Sequence, residues 1–476
     1  MIEKRQFYID GAWVDPVAPH DLEVIDPATE EVCAVISLGD KADTDAAVAA
    51  AKAAFPSWAD TPLEERVALI RKLGEIYKAR QEEMGEAIRL EMGAPKDLAL
   101  NSQWGAGSWH LDGFLEALEG FEFEKPYKGV DRMRLEPIGV CGLITPWNWP
   151  MNQVVLKAIP AMAVGCTMVL KPSEIAPLSS LLFAEMVDEA GFPKGVFNLV
   201  NGDGVGVGSQ LSSHPDVDMI SFTGSTRAGI AISKAAADSL KRVSLELGGK
   251  GANVIFADAD DKAVKRGVIH CMQNSGQSCN APTRMMVERS RYPLALEEAK
   301  AAAEATKTGP TTESGRHIGP VVSELQYNKI QGLIEVGIKE GATLLAGGLG
   351  RPDDTNKGYY VRPTVFADVT PEMTIYREEI FGPVLSIIPF DTEEEAIEMA
   401  NDTVYGLTNY IQTHDDEKRL RVARKVRSGM VETNGIGRQN GSPFGGYKQS
   451  GNGREGGAWG IEEFCEVKAI SGVPME

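Results

Sequence analysis

Apolar residues along this chain come in short runs whose period changes several times. Phe7-Tyr8-Ile9 and Ala12-Trp13-Val14 flank Asp10-Gly11, the spacing and turn chemistry of a tight β-hairpin. A second extended pair is predicted around Pro27-Ala28-Thr29-Glu30. Helical spacing then takes over at 46–55, at 63–92 and over 96–118. Residues 121–136 alternate and are charged, which predicts a small β excursion that leaves the domain and returns. From Ile138 onward, predicted strands at 140–144, 167–170, 196–200 and 219–222 alternate with helices at 178–190, 206–212 and 228–237. A second alternating run follows residue 279, with strands at 284–288 and 361–366, a helix at 327–340 and a solvated helix start at 391–398. The weakly polar run 157–171 is broken by Pro160 and falls short of the roughly 18–20 apolar residues of a membrane span, so it reads as buried interior.

Strand–helix alternation implies an α/β fold with a parallel sheet, and ligands of such sheets bind beyond the carboxyl ends of the strands. Four loops occupy those positions: Thr145-Pro146-Trp147-Asn148, Lys171-Pro172-Ser173-Glu174, Gly202 to Gly208, and Thr223-Gly224-Ser225-Thr226. Glycines and hydroxyls that open a helix offer amides to phosphate oxygens. Each loop alone also fits an ordinary turn, but four in succession favour a nucleotide site. Neither Gly-x-Gly-x-x-Gly nor a Walker A loop is present.

Composition narrows the classes. The 476 residues allow two or three domains, and 43% hydrophobic with 24% charged residues is ordinary for a globular protein. A formal net charge of -20 argues against nucleic acid and anionic membrane as partners. The charged start Met1 to Gln6 carries no secretory pattern, and six scattered cysteines without a paired framework fit a reducing, cytoplasmic setting. The six histidines are equally scattered, so no metal site is predicted.

The chemistry centres on Ser275-Gly276-Gln277-Ser278-Cys279-Asn280-Ala281-Pro282. A cysteine among small polar residues, rather than apolar ones, reads as part of an exposed tight turn. A reactive thiol needs help to ionise, from a helix N-terminus or neighbouring amides. The plainer reading is a small, inert, partly buried cysteine. Leu245-Glu246-Leu247-Gly248-Gly249-Lys250 sets a carboxylate between leucines, where burial makes it a usable general base. The competing reading pairs Glu246 with Lys250 or Lys241.

Seven motifs in one order resemble the aldehyde dehydrogenase superfamily. They are Thr-Pro-Trp-Asn (145–148), Lys-Pro-Ser-Glu (171–174), Phe-Thr-Gly-Ser-Thr (222–226), Leu-Glu-Leu-Gly-Gly-Lys (245–250), Gly-Gln-Ser-Cys (276–279), Glu-Ile-Phe-Gly-Pro-Val (379–384) and Pro-Phe-Gly-Gly-Tyr-Lys (443–448). The resemblance covers essentially the whole chain. It implies two doubly wound α/β domains plus a small β oligomerisation domain. Residues 1–118 and 138–246 would bind the dinucleotide, 247–449 would form the catalytic domain, and 119–137 with 450–476 would make a homodimer or homotetramer.

The resemblance also carries roles. Cys279 would be the nucleophile, Asn148 an oxyanion donor beside the Cys279 amide, and Glu246 the base that activates the hydrolytic water. Lys171 and Glu174 would hold the adenosine ribose, Glu379 the nicotinamide ribose, with Phe381 against that end. Thr145, Trp147, Gly204, Gly208, Phe222, Gly224, Ser225 and Leu247 would line the remaining cofactor path. Glu174 at the 2′-hydroxyl favours NAD over NADP, and Glu246 favours hydrolysis over acyl transfer to coenzyme A. Lys157 and Arg284 would be supporting residues. Trp149 and Phe444 would wall an aldehyde tunnel. Arg438 at its mouth would recognise a carboxylate or phosphate, unless it merely pairs with a nearby acid. The readings from other classes are a thiol esterase using Cys279 and Glu246 without redox chemistry, and a catalytically idle binding protein on the same scaffold.

Overall fold

The computed structural model describes residues 1–472; the last four residues of the 450–476 segment lie outside the described residues. Two seven-stranded sheets organise the chain. The first runs in the order Arg242–Glu246, Met219–Thr223, Val140–Ile144, Thr167–Lys171, Phe197–Leu199, and is extended by the hairpin strands Phe7–Ile9 and Ala12–Val14. The first five are parallel; the hairpin is antiparallel. Asp10 and Gly11 turn with φ of 51° and 71°, the left-handed pair that a two-residue hairpin requires.

The second sheet runs Thr343–Ala346, Thr364–Ala367, Val384–Phe390, Arg284–Glu288, Ala252–Ile255, Thr408–Gln412, Met430–Thr433, with only the first strand antiparallel. Its central strands are buried on both faces, which is why they read as continuous apolar runs rather than alternating ones. The excursion at 121–136 forms Glu124–Pro126 and Arg132–Pro137, and Cys465–Ile470 adds to it as a third antiparallel strand. The extended pair around Pro27 belongs to a separate sheet of Asp21–Asp26, Glu31–Ser37 and Ile2–Lys4.

Several boundaries differ from the sequence reading. The 63–92 run is two helices, Leu63–Ala79 and Gln81–Met92, broken at Arg80. The 96–118 stretch opens with a wide turn over Leu98–Gln103 before the helix Trp104–Leu118. Run 157–171 is split between the helix Pro150–Val164, buried along nearly its whole length, and the strand Thr167–Lys171. Gly165 ends that helix at φ 105°, in the left-handed region open to glycine. The glycines at 204–208 form a wide helical turn leading into the short helix Ser209–Ser213, so the helix predicted at 206–212 is present but opens as a wide turn over 206–208. Among the described residues no helix is long and apolar enough to cross a membrane.

Candidate active site

The carboxyl ends of the first sheet meet the Cys279 loop at a cavity of about 230 Å³. Trp147, Asn148, Gly224, Ser225, Glu246, Leu247, Cys279, Glu379 and Phe381 all line it. Residues drawn from five separated motifs therefore share one space.

The loop that presents Cys279 is wound against its own preference. Asn274, Ser275 and Gly276 have φ of 53°, 55° and 73°. For non-glycine residues the left-handed region costs about 1–2 kcal/mol each, so neighbouring contacts must hold them there. Buried hydrogen bonds supply those contacts. Ser275 Oγ donates to Gly319 O at 2.7 Å, Asn274 Nδ2 to Asn148 O at 3.0 Å, and the Val322 amide to Gln277 Oε1 at 2.9 Å. At Gly276 a Cβ would sit 2.0 Å from Gly382 O, so only glycine fits.

Cys279 itself is half-buried, and no helix begins at it. The expected ionising help from a helix N-terminus is therefore absent, because the loop leads into the strand Arg284–Glu288 instead. Burial, reinforced by the Glu379 and Glu246 carboxylates, pushes the thiol up to about 12.

Asn148 is buried, and its Nδ2 donates to Gln277 O at 3.0 Å, two residues before Cys279. An amide nitrogen has two hydrogens, so one remains for a ligand. Gln103 Nε2 donates to Asn148 O at 3.0 Å and fixes the backbone beneath it. Trp149 Nε1 donates to Ser278 Oγ at 2.8 Å, tying the other side of the loop.

Glu246 ends the strand Arg242–Glu246, and both its carboxyl oxygens are buried without a hydrogen-bond partner. It pairs with neither Lys250 nor Lys241. Two glycines make room for it: a Cβ at Gly445 or Gly453 would lie 2.7 or 2.9 Å from Oε1. Burial, then the nearby Glu455, hold its carboxyl well above the ordinary range, against the opposing pull of Lys157 and Arg454. Lys157 Nζ meets Glu455 Oε1 at 2.5 Å, both nearly fully buried. Glu455 was not legible as a site residue, since nothing in Arg454-Glu455-Gly456 marks a carboxylate that folds beneath Glu246. Lys250 Nζ is also buried without a partner, and burial, then Arg284, lower it to about 7. The Arg284 guanidinium is spent on the carbonyls of Lys250, Met399 and Ala400 at 2.9–3.0 Å, a packing role.

Of the residues predicted to hold a cofactor, Trp147, Gly224, Ser225, Leu247, Glu379 and Phe381 line this cavity, while Thr145, Lys171, Glu174, Gly204, Gly208 and Phe222 lie outside its lining. Glu379 Oε1 accepts the Gly249 amide at 2.8 Å, and Gly248 is bare where a Cβ would lie 2.4 Å from Glu379 Oε2. Phe381, at φ 58°, stacks edge-on against Trp147 at 5.5 Å. Lys171 Nζ reaches Glu174 Oε2 at 3.1 Å at the end of the neighbouring strand. Thr145 is buried between these two strand ends, its amide bonded to Lys171 O at 3.2 Å. Phe222 is buried beneath Gly224, where a Cβ would lie 2.4 Å from its ring. Gly204 and Gly208 lie in the loop after the next strand; a side chain at Gly204 would meet open space. Gln326 and Lys329 also line the cavity, from a helix the motifs did not reach.

Of the substrate-type residues, Phe444 is held by reciprocal backbone bonds with Glu455 at 2.7 and 2.8 Å. Arg438 lies over the Phe444 ring at 5.0 Å and pairs with Glu432 at 3.5 Å. Its charge is already answered within the protein, as the plainer sequence reading has it.

Comparison with known proteins gives concordant results. A family model described as the aldehyde dehydrogenase family matches residues 13–470. A 3-succinoylsemialdehyde-pyridine dehydrogenase of a Pseudomonas species is 51% identical over 474 residues, 99% of each chain. The crystal structure of an aldehyde dehydrogenase from Bartonella henselae is 62% identical, with a TM-score of 0.98 over 99% of this chain and 100% of that one. Aldehyde dehydrogenase C of Pseudomonas syringae, solved as a cysteine-to-alanine mutant with NAD+ and octanal, is 48% identical, with a TM-score of 0.97 over 98% of this chain and 96% of that one.

Proposed function

Because this chain belongs to the aldehyde dehydrogenase family and is an NAD(P)-dependent enzyme of that class, we propose that it oxidises an aldehyde to the free acid through a thioester on Cys279. The observation that carries this reading is the pair of buried, unpartnered Glu246 oxygens in the same cavity as Cys279 and Asn148. A carboxyl kept without a partner and above its ordinary range is suited to take a proton from water near neutrality.

The Cys279 thiol gives up its proton to solvent, the thiolate sulfur adds to the carbonyl carbon, and the new C–S bond moves the charge onto the oxygen. The free Asn148 amide hydrogen and the Cys279 backbone amide face that oxyanion. The tetrahedral adduct reforms its C=O and loses hydride, leaving the thioester. Glu246 then draws a proton from water, the hydroxide adds, and the C–S bond breaks to release the acid and the thiol. Lys157 and Glu455, packed behind Glu246, give that proton a charged pair to sit against. NAD, when bound, supplies the hydride acceptor.

The residues fit that cofactor. Lys171 and Glu174 would hold the adenosine ribose and Glu379 the nicotinamide ribose, with Trp147 and Phe381 at the latter end. Thr145, Phe222, Gly224, Ser225, Leu247, Gly204 and Gly208 would shape the path between. The Glu174 carboxylate supports NAD over NADP, because it accepts ribose hydroxyls and repels a 2′-phosphate. The NAD+ complex of the Pseudomonas syringae relative supports the use of NAD.

The substrate we propose is a semialdehyde with a polar but uncharged far end. Trp149 and Phe444 offer apolar walls, while the Arg438–Glu432 pair offers hydrogen bonds without a free charge. The name of the 51%-identical Pseudomonas relative agrees with a semialdehyde. The exposed small sheet, with Val467 69% exposed, supports a homodimer or homotetramer, and the reading as a whole is of a cytoplasmic enzyme.

The test is formation of reduced nicotinamide from NAD and from NADP with butanal, succinate semialdehyde and an aryl keto-aldehyde, with Cys279→Ala as control. Cys279-dependent oxidation with acid as product supports the reading. Acyl-coenzyme A formation, or ester cleavage without redox turnover, sinks it. An unchanged ratio of succinate semialdehyde to butanal kcat/KM in Arg438→Ala ends any role for Arg438 in recognition.

A further inference from the structure

A base that takes a proton in every turnover must return it to solvent before the next. Glu246 is buried, and the Lys157–Glu455 pair behind it is sealed as well, with side chains 1% and 6% exposed. While the acyl group and cofactor occupy the catalytic cavity, the proton needs another way out.

A side path starts on the strand of Glu246 itself. Ser244 stands two residues earlier on Arg242–Glu246, so both side chains lie on one face of the strand, and both are buried. Gly453 runs past the pair: a Cβ there would sit 2.5 Å from Ser244 Oγ and 2.9 Å from Glu246 Oε1. The two oxygens are no further apart than those lengths laid end to end. One water with a hydrogen bond of about 2.8 Å on each side covers that span.

Beyond Ser244 stands Glu463, the last residue of the helix Gly457–Glu463. The Ser244 hydroxyl donates to its carboxylate, and the Arg454 amide donates to Oε1 at 3.0 Å. A carboxylate at a helix C-terminus sits at the unfavourable end of the helix dipole. Glu463 is only half-buried, so this acid, unlike Glu246 and Glu455, reaches the surface. The other charged groups that act on it are Glu455 and Arg242, and Arg242 pairs with Glu466 at 2.9 Å. Burial raises the Glu463 carboxyl above its ordinary range, the Arg454 amide and Ser244 hydroxyl oppose that, and Glu455 adds to the rise. Its proton affinity thereby moves toward that of Glu246, which favours exchange between the two.

Taking Glu246 as the hydrolytic base, on which this inference rests, we propose that Ser244 and Glu463 form its proton exit. The Glu246 carboxyl gives its proton to a bridging water. That water protonates Ser244 Oγ as the hydroxyl hydrogen of Ser244 passes to the Glu463 carboxylate. Glu463 then releases the proton to buffer. Glu246 ends as the carboxylate, and the water and Ser244 are restored.

The test mixes NAD and aldehyde rapidly with wild type, Glu463→Gln, Glu463→Ala and Ser244→Ala, with Glu246→Gln as control. Steady-state turnover is then followed in rising formate at fixed pH and ionic strength. Circular dichroism checks folding. Glutamine keeps the shape of Glu463, and Ser244→Ala removes only a hydroxyl. The expected result is a full burst of reduced nicotinamide in the three relay variants, aldehyde KM within about twofold of wild type, and kcat lower by about tenfold or more. Formate should restore kcat in Glu463→Ala, whose notch admits a carboxylate in place of the missing one, and leave wild type and Ser244→Ala unchanged. A merely structural role for Glu463 would not respond to a proton carrier. Unchanged kcat in the folded variants, a lost burst, or a slowed Glu463→Ala that formate does not restore overturns the proposal. If Glu246→Gln is slowed and the relay variants are not, only the proton exit falls. If Glu246→Gln turns over like wild type, the hydrolytic reading falls with it.

Discussion

Replacing Glu246 with glutamine separates the two halves of the reaction. The side chains have the same shape, and neither Glu246 oxygen has a hydrogen bond to lose. The change therefore removes a proton acceptor and little else. Removing a general base typically slows its step by about 10²–10⁴, which corresponds to roughly 3–5.5 kcal/mol of barrier. Cys279 attack and hydride loss do not use Glu246, so they should survive. The assay is rapid mixing of Glu246→Gln with NAD and aldehyde. The expected trace is a burst of one reduced nicotinamide per chain, followed by a steady state slowed by that factor. Loss of the burst together with the steady state would refute the assignment, and so would an unchanged steady state.

Stability gives an independent check of sign. Burial and Glu455 raise the Glu246 carboxyl above its unfolded value, so the folded protein binds more protons there than the unfolded chain. That contribution to stability is complete below the ordinary carboxylate range and is lost as pH rises through the raised value. Glutamine lacks the loss. The melting temperature of Glu246→Gln relative to wild type should therefore be higher at pH 8 than at pH 5.

Asn148→Ala should lower kcat by about 10²–10³ with a smaller effect on KM, since the amide acts on charge formed in the transition state. Lys157→Met strands Glu455 as a buried unpaired carboxylate and should cost about 3–5 kcal/mol in urea unfolding; a cost under about 1 kcal/mol, the size of an exposed pair, would mean that the ion pair is not buried in solution. Alkylation of Cys279 in the free enzyme should keep accelerating with pH into the alkaline range, because the thiol is raised to about 12. Glu379→Gln should speed alkylation at fixed pH, as it deletes one of the carboxylates that, with burial, cause that rise. Glu174→Ser should raise NADP turnover relative to NAD; no change in the ratio would remove Glu174 from cofactor choice.

The sequence determined the local elements. Strand–helix alternation, Asp10-Gly11 and the glycine punctuation predicted most of the first sheet and its hairpin, because periodicity and turn residues are short-range properties. It also supplied the chemistry-bearing side chains, since Cys279, Glu246, Asn148 and Glu379 stand in compact motifs. Tertiary structure alone decided what surrounds them. Glu246 lies beside Glu455 and Lys157, residues 209 and 89 positions away by their numbering, and that neighbourhood sets its proton affinity. Arg438 looks like a free cation in sequence and is paired with Glu432 in space. The left-handed turn at 274–276 reads as an ordinary polar loop until Gly319, Val322 and Gly382 are seen holding it. Burial and charge act through space, and a pattern along the chain carries no record of which distant groups will meet.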